Sequence, residues 1–454
     1  MEESAAEEEQ AAYIVGKCNA LGDLCAFVRN AAAMDQKNQD LIDGSGITAD
    51  ICKTILDTVE LELIHLEAMS CVAIAAQALS NAITGNRALQ EKLLRQQLEH
   101  GSPENNRTVY WLLLDSIHQK TNTAGLVLLL NNINDSPELV DLLCTVPSGQ
   151  KIAQKLGSLF GGMQDDESEE KNIVYAILGK IIENGCFSKL VQSDLSYNMY
   201  GLFESLAVYC KVNSDNPEKI DFVLDERLVG SISNIFEQIH GILSGLWQVS
   251  GSETPNAGRN VDMDSAISAH RCLSAFITIL EIATSRHNQR LADLAIDCKL
   301  AHRIVELLGL LHVNLPRIQK LDSQASTSIK EQHQKQDAEE SQASSIERLF
   351  MFKCDLIQII GNLSFKNIAM QDLMREIDGL SLVLDNMRID DNHPFIKEYA
   401  IVALKWLLEN NKSSHDYVRS MEAGKPTLDP SIAAPGLEIT VDDQNKISIG
   451  KSDK

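Results

Sequence analysis

The chain has 454 residues and a formal net charge of −24, with 64 acidic against 40 basic side chains; a surface of that sign repels phosphate backbones and anionic lipid, which disfavours nucleic-acid and membrane-surface binding. Hydrophobic residues make up 44% of the sequence but aromatics only 5%, a Leu-, Ile- and Ala-rich mixture that suits stacked helices better than β-sandwiches or parallel sheets. The 10 cysteines form no CxxC and no Cys/His set at zinc spacing, so they read as small buried hydrophobes in a reducing compartment.

The charge leaves two readings of the surface: a well-solvated acidic exterior, or an acidic groove that steers a basic partner. Residues 1–10 (MEESAAEEEQ) form an acidic leader without the basic and apolar segments of a signal peptide. No apolar run reaches the length of a bilayer span. The expectation is a cytoplasmic protein with no membrane insertion.

From residue 11 to 316 the chain reads as successive helical repeats. Ala11 to Asp43 is helical, the DGSG at 43–46 breaks it, and Thr48 or Asp50 is placed to cap the next segment. Cys71 to Leu94 is a first repeat-like unit, with Ala73, Ala75, Ala76 and Ala78 letting helices approach and a break at Gly85–Asn86. A second unit follows the polar residues 101–106 and carries Asn132 before Ile133, with Pro137 where a first helical turn tolerates it. A third spans Asn172 to Val191, with Lys180 at the position held by Asn in the others. A loop insertion rich in turn formers is expected over about 250–262, and helices resume from Ala266 to Leu311.

Residues 317–345 hold few apolar side chains and are expected to be a disordered polar insertion. The clearest repeat comes next, within a C-terminal domain at 346–418. FKCDLIQIIGNLSFKN and FIKEYAIVALKWLLENN superpose with Leu356 over Ala400, Ile360 over Leu404 and Asn367 over Asn411. That slide is about 44 residues, inside the range of roughly 40–47 used by armadillo and HEAT units. The tail at 419–454 is polar and contains a candidate hairpin at 436–450, where Leu437, Ile439 and Val441 alternate and Ile447 and Ile449 alternate again. The fold class expected is an all-α, armadillo/HEAT-like α-solenoid with a small C-terminal β-hairpin.

No catalytic or nucleotide-binding motif appears: there is no GxGxxG, GxxxxGK[ST], HExxH or GxSxG. The expectation is a chain with no catalytic residues, no metal site and no cofactor. The positions that point to binding are Asn81, Asn132 and Asn362, with Trp406 at the equivalent place in the last unit. An Asn on the third helix of an armadillo unit can hydrogen-bond the main chain of an extended peptide in the groove; the alternative is that these residues tie neighbouring loops and helix ends together.

Leu349 to Asn411 resembles the C-terminal domain of the ataxin-10 family. The residues that carry the resemblance are Ile360-Gly361-Asn362-Leu363, Lys366-Asn367, Gln371-Asp372, Asp378-Gly379 and the loop from Asp390 to Phe395. The tail hairpin is similar to the family's end. The resemblance implies an armadillo-like, non-catalytic protein-interaction scaffold of the cytoplasm, active in cytokinesis and in neuronal differentiation or survival, with other proteins as partners and self-association. A regulatory adaptor, such as a nucleotide-exchange factor or chaperone cofactor, is the alternative. The fungal branch of the family is named for copper transport, and no Cys/Met/His cluster here supports that chemistry.

Overall fold

The computed structural model of the chain describes residues 2–33, 35–58, 66–99, 108–163, 167–191, 199–250, 263–315, 340–388, 390, 393, 395–421, 437–441 and 447–451. The chain opens with α1 (Glu2–Ala32), α2 (Gln36–Gly44), α3 (Ile47–Thr58) and α4 (Leu66–Ile83). A first, a middle and a third helix then recur as α5 (Arg87–Glu99), α6 (Val109–Asp115) and α7 (Gln119–Ile133), and as α8 (Pro137–Thr145), α9 (Pro147–Gly162) and α10 (Glu169–Glu183). The next unit is α11 (Phe187–Leu190) and α12 (Met199–Val212). It is followed by α13 (Pro217–Val223), α14 (Glu226–Ser250) and α15 (Met263–Thr284), then by α16 (Gln289–Asp297), α17 (Leu300–Asn314) and α18 (Glu340–Ser364). The last units are α19 (Ile368–Glu376), α20 (Gly379–Asp385) and α21 (Ile396–Leu408), then α22 (Lys412–Ser420). Strand β1 (Leu437–Val441) pairs antiparallel with β2 (Ile447–Lys451), setting Ile439 opposite Ile449.

This is the all-α solenoid the periodicity predicts. The helices α1, α4, α7, α10, α12, α15, α18 and α21 pack side by side in one row, and α14, α17 and α20 make a second. One continuous apolar core runs from Cys25 to Leu407. Each helix buries its face only against neighbours, so α4, held between α1 and α7, has Ala68, Ala75, Ala76 and Ala78 fully enclosed. At α12 the row departs from regularity, because α12 also lies tightly on α9: a Cβ built on Gly201 would sit 1.9 Å from the Gly157 carbonyl oxygen. Three glycines at that crossing, Gly157, Gly161 and Gly201, are what allow it.

The corners between units share one device. Two residues before each first helix the backbone is left-handed, at Gly85, Asp135, Gly185, His287, Lys366 and Asn410, and the residue after it takes the cap position of the following helix. Non-glycine residues occupy several of these sites, which is uncommon except where the surroundings hold them. At His287, Lys366 and Asn410 the following cap and its hydrogen bond do.

Several expectations change. The leader at 1–10 is continuous with α1 from Glu2, because a Glu/Ala-rich segment adjoining a formed helix propagates it. The helix expected over Ala11 to Asp43 is two, divided where Asp35 caps α2 by accepting from the amides of Lys37 and Asn38. Thr48 and Asp50 lie inside the first turn of α3 rather than at its cap. Of the polar stretch expected to be disordered at 317–345, residues to 339 lie outside the described ones, whereas 340–345 are the start of α18. Of the loop expected at 250–262, Ser250 ends α14, and 251–262, like the hairpin turn, lie outside the described residues. Finally, Ser265–Thr284 is long and apolar enough to span a bilayer by length and composition. It packs against α12, α14 and α18, so its apolar character matches the core position of a central solenoid helix.

Candidate functional site

The row of third helices presents two adjoining clefts. The first, between α4, α7 and α10, encloses about 630 Å³ and mixes polar side chains with Ala73, Ile74, Ala124 and Val127. Its side chains largely satisfy one another: Gln119 and Thr123 donate to Glu170 at 2.7 and 2.9 Å, and the Asn131 amide donates to the Ser80 hydroxyl at 2.8 Å. The second, between α10, α12 and α15, encloses about 820 Å³. Its floor includes Phe160 and Tyr175, whose ring centroids are 6.3 Å apart.

Three cations line this second cleft, Lys171, Lys211 and Arg271, against one carboxylate, Glu204. Arg271 grips both oxygens of Glu204 at 2.6 Å, donates to the Gly161 carbonyl at 2.7 Å and lies 3.9 Å from the Tyr200 ring centroid. A bidentate guanidinium stacked on an aromatic face is rigidly held, in a way lysine could not reproduce. Lys171 donates to the Met163 carbonyl at 3.0 Å and sits 5.2 Å from the Phe160 ring centroid.

Further along the row, Glu281 of α15 meets Asp355 of α18. Burial, then the Glu281 charge and its hydrogen bond, push the Asp355 carboxyl up to about 7, and burial raises Glu281 as well. Two carboxyls in one half-buried site cannot both ionise at neutral pH without mutual repulsion, so they share a proton.

The residues expected to line a peptide groove fall in different places. Asn81 is half-buried at the edge of the first cleft, where its amide donates to the Arg29 carbonyl of α1 at 2.9 Å. Asn132 is fully enclosed and cannot meet a ligand; its neighbour Asn131 is the one that faces the cleft. Asn362 is 5% exposed and donates to the Thr284 hydroxyl at 3.2 Å. Trp406 joins an aromatic corner, its ring edge-on to His287 at 4.8 Å and to Phe365 at 5.7 Å. The groove roles expected for Asn132 and Asn362 are therefore corrected, both side chains being buried. A helix turn carries successive residues 100° apart, and a shift of one position moved Asn132 from the cleft to the core.

The sequence reading missed a different set of residues. Asn86, Asn367 and Asn411 each accept from an amide of their own first helix, from Leu89, Met370 and Ser414 respectively. Each then donates its side-chain amide to an Asp on the preceding unit: Asn86 to Asp40, Asn367 to Asp293 and Asn411 to Asp372, at 2.8, 3.2 and 3.0 Å. Asn288 does both as well, bonding Asp221. Cys186 stands at the same place, 3.6 Å from Asp141. A buried Gln beside the Asp completes the joint: Gln39 donates to the carbonyls of Asn81 and Thr84, and Gln371 to those of Trp406 and Glu409. These bonds satisfy carbonyls that a helix end leaves open. The signal was in the sequence as a cap followed five residues later by an acid.

Most of the buried thiols are unreactive, since burial pushes Cys52, Cys71, Cys210 and Cys272 up to about 12. Among the described residues no three His, Cys, Asp or Glu side chains converge as metal ligands would.

Residues 352–450 match the family model described as the spinocerebellar ataxia type 10 protein domain. The chain is 42% identical over 97 residues to an ataxin-10 homolog of Saccharomyces cerevisiae, a match covering 21% of this chain and 17% of that protein. It is 23% identical over 345 residues to an ataxin-10 homolog of Kluyveromyces lactis, covering 71% of this chain and 61% of that protein. The chain thus spans less than two thirds of the length of these relatives. A designed armadillo repeat protein aligns over 78% of this chain and 99% of its own at 12% identity, with a TM-score of 0.25, too low to bear on the fold. The matched domain is the α18–α22 block and the hairpin, where the IGNL helix, the Lys366-Asn367 corner and the Gln371-Asp372 joint stand together. The C-terminal block is thus similar to the ataxin-10 family's domain, and the architecture of the described helices is that of a repeat scaffold.

Proposed function

We propose that the chain is a non-catalytic interaction scaffold of the cytoplasm that holds an extended segment of a partner protein along the row of third helices. The observation that supports this reading most directly is the pair of clefts on one row, α4–α7–α10 and α10–α12–α15, built from side chains of successive units. A rigid concave surface of repeated helices suits main-chain and side-chain recognition of an extended peptide. The family supports roles in cytokinesis and in neuronal differentiation or survival, with self-association among the interactions.

The test is affinity capture from dividing cells with the full chain and with a variant carrying Lys120→Glu, Val208→Glu and Thr278→Glu, three cleft-facing positions. The expected result is loss of a shared set of partners with the helical circular dichroism unchanged. Retention of every partner by the folded variant would overturn the groove reading. Acceleration of nucleotide release from a chaperone or G protein by the purified chain would replace the scaffold with a regulatory adaptor. Loss of the protein is expected to raise the fraction of binucleate cells.

A further inference from the structure

The second cleft has the opposite charge balance from the molecule that contains it. In a chain of net charge −24, Lys171, Lys211 and Arg271 outnumber the one carboxylate in the cleft, and Glu204 is already held by Arg271. Lys211 is exposed and meets no carboxylate among the described residues. Between the cations lies an apolar surface that includes Phe160, Tyr175 and Val208, the last 39% exposed. Asn172, Ser274 and Thr278 add neutral hydrogen-bonding groups at the rim. A cleft of about 820 Å³ is within the range of a built ligand site, which runs to roughly 1,000 Å³.

From this chemistry we propose that the α10–α12–α15 cleft docks an extended protein segment in which acidic side chains alternate with apolar ones. Alternate side chains of an extended chain point the same way, so one set reaches Lys171 and Lys211 while the other covers Val208 and the aromatic floor. Three adjacent helices at spacings of about 9 Å span roughly 20 Å, which about six extended residues cover. The polar rim groups serve the segment's main chain. Charge complementarity at this depth gives specificity against the basic partner that the overall charge alone would suggest. The apolar floor favours a peptide over a free phosphate or nucleotide, which would leave that floor uncovered.

This inference rests on the groove reading above, and its test separates the two. Fluorescence anisotropy is measured with the full chain and a labelled octapeptide alternating glutamate and leucine, with its glutamine counterpart as the uncharged probe. The expected result is saturable binding of the glutamate peptide, weakened about tenfold or more by Lys171→Glu with Lys211→Glu and retained by Lys211→Arg. Lys412→Glu, at an exposed position on α22 that lines neither cleft, leaves it unchanged. Equal binding of the glutamine peptide, or no saturable binding of either, overturns the proposal. So does pyrophosphate competing as well as unlabelled peptide, which would make the cleft a small-anion site. If the acidic peptide fails while the cleft variant still loses its cellular partners, the scaffold reading stands and only the charge assignment falls.

Discussion

The joint between units is decided by single side chains. Asn367 caps its own helix at Met370 and reaches Asp293 of the unit before. Asn367→Ala removes both bonds and is expected to lower stability by about 1–2 kcal/mol in chemical denaturation. Asn367→Asp keeps the cap but places two carboxylates together, and Asp293→Asn in the same chain should restore most of the loss; a double-mutant cycle measures this. A second prediction concerns Asp355. It keeps its proton up to about 7 in the fold against an ordinary 3.8, so the folded state binds more protons between those values. Acidification from 7 toward 4 therefore stabilises this site, and above 7 the ionised carboxyl destabilises it. Asp355→Asn should raise stability at pH 8 by on the order of 1 kcal/mol, discounted for partial exposure, with the advantage shrinking as pH falls. Melting temperatures across pH 5–8 would show it. Much of this scale was legible: caps paired with an acid five residues on stand at Asp35/Asp40, Asn86/Glu91, Asn288/Asp293, Asn367/Asp372 and Asn411/Asp416. What the sequence did not show is that the Asp belongs to the next unit's Asn, since that bond forms only across the stack.

At the scale of helices, close approach is set by glycine. Gly201 lies where a Cβ would meet the backbone of α9 at 1.9 Å, whereas Gly241 in α14 has open space around it. Gly201→Ala should therefore destabilise by about 1–3 kcal/mol through forced separation of α9 and α12. Gly241→Ala should stabilise by up to about 1 kcal/mol through helix propensity. Thermal unfolding of the two variants side by side tests the contrast. The glycines look alike in the sequence, and only the α9–α12 crossing tells them apart. The apolar run of α15 is ambiguous in the same way: its hydropathy suits a bilayer span, and the neighbours on three sides make it a core helix.

At the scale of the molecule, a solenoid couples each unit mainly to its neighbours, so damage should stay local. Gly361 packs against α21, where a Cβ would sit 2.8 Å from the Ala403 Cα and 3.2 Å from the Trp406 ring. Gly361→Leu is expected to melt α18–α22 while α4–α10 keep their amide protection, a pattern hydrogen exchange resolves. Loss of protection throughout the chain would show a single cooperative body instead.

The helical class, the solenoid, the break at Gly85–Asn86 and the resemblance of the C-terminal block to the ataxin-10 family follow from the sequence alone, because apolar periodicity, turn residues and a dense local motif act over short stretches. The faces that Asn132 and Asn362 occupy were decided by the stack, since a shift of one residue on a helix turns a side chain from cleft to core. So was the cationic cleft: Lys171, Lys211 and Arg271 lie on three different helices. Net charge is a sum over the chain, whereas a binding surface depends on which charges the packing brings together.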